Sequence, residues 1–283
     1  MDASFSKNFN KIFVIESLEP KDRKTGAELY DDIIYKLGKY GDGTFTTEFV
    51  DLENYVQYEQ LMTRIAVECG RGVNPILHFE IHGSELGLVL KNGDLVPFPI
   101  LAMHLSVINR GCKNNLFLTL AICHGAMIGF SVKLNLPAPF LGFIGSYDEI
   151  YDLDILLRYT EFYQEFLINR DFEKAFEIFV KCNIIEENKF HLIDTYDLFV
   201  KVYKDYSKKN QLPSQLKERA KMALKEEKFV NRHDKRKKER EFIKAVKRSR
   251  QKFYLEHSKT FFMLDLYPEN IKRFPLPDNY SKM

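Results

Sequence analysis

Two hydrophobic periods alternate along the first 180 residues. Apolar runs of strand length occur at "KIFVIESLE" (11–19), "TFTTEFVDL" (44–52), the start of "NPILHFEIHGSELGLVLKNGDLVPF" (74–98), "NNLFLTLAIC" (114–123) and "APFLGFIGS" (138–146). They are bounded by turn residues and rich in β-branched and aromatic side chains, the pattern of buried strands. Between them, apolar residues recur every three or four positions in "AELYDDIIYKLGKYG", closed by Gly41, in "YVQYEQLMTRIAVECG", ending at Gly70, and in "PILAMHLSVINRG", opened by Pro99 and closed by Gly111. These predict helices. Within 74–98 a glycine marks a break after the first strand, and "KNGD" predicts a hairpin turn. Wholly apolar strands alternating with helices predict a mostly parallel sheet covered on both faces, a three-layer α/β sandwich.

From about 152 the texture becomes helical, in "DILLRYTEFYQEFLINRDFEKAFEIFVKC" (154–182), "IDTYDLFVKVYKDY" (193–206) and a long stretch from 212 to 264 with Pro213 near its start and no interior Pro or Gly. The expected organisation is an α/β domain over 11–183 followed by an α-helical C-terminal extension over 184–283.

Composition and charge narrow the function classes. Hydrophobic residues make up 45% and charged residues 29% of the 283, ordinary for a folded domain. Lys133, Asn135, Pro137 and Pro139 interrupt the longest apolar region, so no membrane span is expected. "MDASFSKNFNKIF" lacks the basic-then-apolar layout of a secretory signal, which predicts a cytoplasmic protein. The four cysteines (69, 112, 123, 182) have no CxxC spacing and are expected as free thiols. The net charge of +2 hides a division, since residues 201–260 hold 21 Lys+Arg against 8 Asp+Glu, a balance of +13, and the remainder carries −11. The basic arm, densest over 232–250, reads as a solvated helix face, a nucleic-acid contact, or a docking surface for an acidic partner or the acidic body.

Chemistry concentrates at two predicted strand ends. "ILHFEIHG" finishes with His82-Gly83 and "LFLTLAICHG" with Cys123-His124-Gly125, and in open parallel sheets reacting groups gather at the carboxyl ends of strands. If the two strands are neighbours, His82 and Cys123 share one rim and can form a thiolate–imidazolium pair. The backbone N–H groups of Gly83 and Cys123 would then form the two-donor cradle an oxyanion requires. Cys123 as a small apolar filler is the competing reading, and His124 is expected to line the site or fill space. His78, Glu80 and His82 alternate on one strand face, which raises metal binding as a rival. No CxxC accompanies them, and a covered strand face argues against it. No metal and no cofactor is therefore expected, nucleotides included, since neither GxxxxGK[ST] nor GxGxxG occurs.

Strand-His-Gly, a hairpin and helix, then strand-Cys-x-Gly resembles the caspase-type cysteine peptidases, the clan of caspases, metacaspases and separase, and is most similar to the bacterial CHAT type through "AICHG" and "FIGSYDEIYD". The resemblance covers residues 11–180, and His82 and Cys123 are 41 residues apart, near the roughly 50 of caspases. It implies a caspase-like fold and a His82/Cys123 cysteine endopeptidase, with Gly83 in the oxyanion hole. A protein or peptide substrate, an activating protein partner or ligand, and a role in bacterial signalling or antiviral defence are further implications. In that fold the segment after the last core strand lies beside the nucleophile. Here it carries Asp148, Glu149, Asp152 and Asp154, so Asp148 first and Asp152 next are expected to bind a basic substrate side chain, the alternative being that they charge the start of the next helix. The competing function is a catalytically silent scaffold that binds nucleic acid or a protein through its basic arm.

Overall fold

The computed structural model of the chain describes residues 9–41, 45–182, 188–210 and 212–275. They divide into two compact units, residues 1–133 with 137–195, and residues 134–136 with 196–283. The expected boundary at 183/184 lies outside the described residues. The first unit continues to Thr195, because a strand that periodicity had merged into the helical region, β8 (Phe190–Asp194), belongs to its sheet.

The first unit is an α/β three-layer sandwich. Its sheet runs in the order β2 (Thr46–Asp51), β1 (Lys11–Ser17), β3 (Pro75–Ser84), β6 (Phe117–Ala121), β7 (Gly142–Ser146), β8. The first five of these are parallel, and β8 pairs antiparallel with β7. The hairpin at "KNGD" joins β4 (Gly87–Val89) to β5 (Leu95–Pro97), and Gly93 takes the positive φ of 92° that its turn needs. The break expected after the first strand falls one residue past Gly83: β3 ends at Ser84 and the chain turns back to pair antiparallel with it as β4.

Strand alternation decides what each face buries. Phe13, Ile15, Leu77, Phe79, Leu118 and Leu120 form a wholly apolar core with α3 (Tyr55–Gly70) and α4 (Phe98–Gly111). Each such buried side chain contributes about 1.5–3 kcal/mol. The opposite face is covered by α1 (Thr25–Leu29), which runs through a π-helical turn (Tyr30–Ile34) into α2 (Tyr35–Tyr40), and by α5 (Asp152–Asn169) and α6 (Phe172–Lys181). There His78 packs edge-on against Tyr159 at 4.7 Å and Phe117 against Phe172 at 4.8 Å. The sequence from 154 to 182 reads as one helical pattern; the chain breaks it at Arg170, whose φ is 58°, and restarts it with Asp171 capping the Lys174 N–H at 3.0 Å.

The second unit is built around aromatic rings. Phe199 of α7 (Thr195–Asn210) meets Tyr254 and Phe261 of α9 (Arg232–Phe261) at 5.5 and 5.0 Å, and Phe262 stacks on Phe274 at 4.6 Å. The pattern from 212 to 264 is also divided, into α8 (Pro213–Ala223) and α9, which Asn231 caps by accepting the Asp234 N–H at 2.9 Å. Among the described residues no helix is long and apolar enough to cross a membrane.

Candidate functional site

The two chemistry-bearing strand ends are neighbours. β3 and β6 pair in parallel with Glu80 opposite Ala121, so the residues that follow, His82-Gly83 and Cys123, leave the sheet side by side. Gly83 touches the chain at Cys123 directly: a Cβ there would lie 2.0 Å from the Cys123 carbonyl oxygen. No other residue fits that approach, because the obstacle is backbone and cannot rotate away. The strand predicted to end at Cys123 ends at Ala121. The chain then turns, with the Gly125 N–H donating to the Ile122 carbonyl at 3.0 Å and His124 left-handed at φ 59°. This turn lifts Cys123 to the rim, half-buried, while Ile122 stays in the core.

The third side chain at this rim comes from the loop between β1 and α1. β1 is the other neighbour of β3, so its outgoing loop stands beside His82. The His82 Nε2 lies 2.7 Å from Asp22 Oδ2, and the same oxygen accepts the Glu19 N–H at 2.9 Å. The hydrogen bond with His82 holds the Asp22 carboxyl below its ordinary range. Sequence reading missed Asp22. A lone Asp in "EPKDRK" looks like any turn residue, and only the strand order β1-β3-β6 brings it to the histidine.

Cys123 borders two clefts. One, of about 350 Å³, is shared with His82, Asp22, Glu80, Asp152 and Ile150. The other, of about 250 Å³, is lined by Gly83, His124, Glu149, Tyr151 and Lys189 besides. Ile150 crosses between them: its N–H points at the Cys123 sulfur at 3.5 Å, and the thiol faces its carbonyl at 3.8 Å. The segment carrying Ile150 is tied down by the His124 N–H on the Asp148 carbonyl (3.2 Å), His124 Nδ1 on the Tyr147 carbonyl (2.7 Å) and Lys189 Nζ on the Glu149 carbonyl (3.2 Å). His124 therefore orders the wall of the site.

The carboxylates expected to bind substrate separate. Asp148 is exposed and lines neither cleft; its N–H caps on Ser146 Oγ at 3.0 Å. Asp152 stands on the wall of the larger cleft at the first turn of α5. Asp154 is buried and bound by Arg158 Nε at 2.9 and 3.0 Å, which makes it a structural anchor.

Below the larger cleft lies a buried polar chain. Tyr163 OH meets Thr119 Oγ1 at 2.7 Å, Thr119 meets His78 Nδ1 at 2.9 Å, His78 Nε2 approaches Glu80 Oε1 at 3.5 Å, and Thr25 donates to Glu80 Oε2 at 3.1 Å. Glu16 lies opposite Glu80 in register and accepts the Ala27 N–H at 3.1 Å; burial pushes its carboxyl up. His78 and Glu80 thus have hydrogen-bonding partners of their own. Among the described residues no three His, Cys, Asp or Glu side chains stand where they could hold a metal ion.

Elsewhere, Cys69 and Cys112 are buried against each other, which pushes the Cys69 thiol up, and burial does the same to Cys182. In α9 the residues Lys235, Arg236 and Lys237 are exposed, and Lys238 pairs with Glu227 at 2.7 Å. Comparison of the chain with protein-family models and with curated proteins gives no match.

Proposed function

We propose that the protein is a cysteine endopeptidase in which Cys123 is the nucleophile and His82 the base. The observation that carries this reading is that the two side chains line one cleft at the carboxyl ends of adjacent parallel strands. The half-buried thiol, unlike the buried Cys69 and Cys112, borders both clefts, where a substrate reaches it once the Ile150 backbone moves aside. In the reaction His82 takes the thiol proton and the sulfur attacks the peptide carbonyl carbon, whose π pair moves onto oxygen. The N–H groups of Gly83 and Cys123 hold that oxyanion. The imidazolium then protonates the leaving amine as the C–N bond breaks, and a thioester remains. Water, deprotonated by His82, attacks the thioester and restores the thiol.

The clamp of Ile150 on the sulfur supports a regulated enzyme: a substrate carbonyl must displace this backbone to reach Cys123, which gives an activating partner or ligand a segment to move. Asp152 on the cleft wall and Glu80 beneath it make the larger cleft a receptor for an Arg or Lys side chain before the scissile bond. The test is turnover of a peptide library by the natural chain and by Cys123→Ala and His82→Ala. Hydrolysis that both substitutions abolish is expected; hydrolysis that survives either overturns the reading.

A further inference from the structure

Nothing in a His/Cys dyad requires Asp22, yet its carboxylate makes the only hydrogen bond that the His82 ring has among the described residues. Asp22 is itself held: its Oδ2 takes the Glu19 N–H at 2.9 Å, and its own N–H donates to the Glu19 carbonyl at 3.0 Å, closing a tight turn. Lys24 Nζ also binds the carbonyls of Leu18 and Glu19. The carboxylate therefore stands on a braced loop and not on a free one.

Tautomer chemistry follows from this contact. A carboxylate only accepts, so the ring nitrogen facing it must carry the proton. With the proton on Nε2, the lone pair of the neutral ring is on Nδ1, the nitrogen with no protein partner among the described residues. His82 and Cys123 line the same cleft, so Nδ1 is the atom left to receive the thiol proton. The same carboxylate steadies the imidazolium once that proton has moved.

We infer that Asp22 is a positioning residue: through Nε2 it fixes His82 in the tautomer that leaves Nδ1 bare for Cys123, so the working unit is Asp22-His82-Cys123. The inference rests on the peptidase reading for its consequence in turnover, and on geometry alone for the tautomer. A surface ion pair is the competing explanation. The two side chains are 51% and 21% exposed, and pairs of that kind contribute no more than about 1 kcal/mol to stability. A structural pair would therefore leave both the thiol and the chemical step unchanged.

Asp22→Asn separates the two. One oxygen of Asp22 serves both Nε2 and the Glu19 N–H. An amide NH₂ in its place donates to Nε2 and drives the ring proton to Nδ1 at the cost of the Glu19 contact, and either orientation of the amide removes the negative charge. The measurements are long-range ¹H–¹⁵N NMR of the neutral His82 ring, the rate of Cys123 alkylation by iodoacetamide at neutral pH, and kcat and KM on the best library peptide. Expected are an Nε2–H tautomer in the natural chain and Nδ1–H in Asp22→Asn, with alkylation slowed at least about tenfold. The kcat should fall about 10²-fold, less than for a buried aspartate of this kind, while KM stays within about twofold. Asp22→Glu, which keeps the charge, should recover part of the loss. An Nδ1–H tautomer in the natural chain, or alkylation and tautomer unchanged in Asp22→Asn, overturns the inference. A natural chain that cleaves no peptide would sink the peptidase reading alone, since the tautomer and thiol measurements need no substrate.

Discussion

The two faces of the sheet bury the same strands in different chemistry. Against α3 and α4 the strands bury apolar side chains, Phe13, Ile15, Leu77, Phe79, Leu118 and Leu120 among them, with Ser17 at the end of β1 a bonded exception. Against α1 and α5 the alternate positions of the same strands place Glu16, His78, Glu80 and Thr119, each no more than 2% exposed. Buried polar groups cost stability unless they are bonded, and these are bonded to one another or to α1 and α5. The apolar face holds the fold together. The polar face leads up to the cleft where His82 and Cys123 stand, so the bonded polar groups lie next to the two side chains of the candidate site.

Substitutions on the two sides should therefore fail in different ways. Cys123→Ala is expected to abolish turnover, by about 10⁴-fold or more, with an unchanged circular-dichroism spectrum, because it trims a half-buried rim side chain. Gly83→Ala should come close to that loss, since the added methyl would meet the Cys123 carbonyl and part the two strand ends; activity within tenfold of the natural chain would show that this approach is not required.

Phe79→Ala on the apolar face should instead cost about 3–5 kcal/mol in denaturant unfolding, with turnover in the remaining folded fraction little changed. Asp152→Ala is expected to weaken a preference for Arg or Lys by about tenfold in kcat/KM, or about 1.4 kcal/mol, while Asp148→Ala leaves it alone. A positional-scanning library that shows the reverse would restore Asp148.

The smallest effect concerns Glu16. Burial holds its folded carboxyl above the ordinary 4.5, so ionisation costs stability as pH rises past that value. Glu16→Gln should melt a few degrees above the natural chain at pH 7, with the gain gone below about pH 4, where both side chains are neutral. A constant difference at all pH values would point to packing instead of charge.

Much of this was legible in residue order. The strand and helix periods of the first 146 residues correspond to elements in the structure, with ends moved by a few residues, because apolar runs and capping glycines act locally. The hairpin at "KNGD" was equally plain. What periodicity could not separate were helices joined by polar breaks: Arg170 and Asn231 interrupt patterns with no interior Pro or Gly. β8 was missed because "FHLID" leads straight into "TYDLFV", and an edge strand with one buried side chain carries no strong alternation.

By itself the sequence determined the two-sided burial of the strands, the helices between them, and the arrival of a histidine-glycine and a cysteine at strand ends, since each depends only on neighbours along the chain. Tertiary structure alone decided that β1, β3 and β6 lie side by side. That order recruits Asp22 to His82, sets Gly83 against the backbone of Cys123, lays Ile150 over the sulfur, and separates Asp152 from Asp148. Residues 27 to 60 positions apart meet there because strand order is set by the burial of whole faces, an energy shared among many residues that no local pattern records.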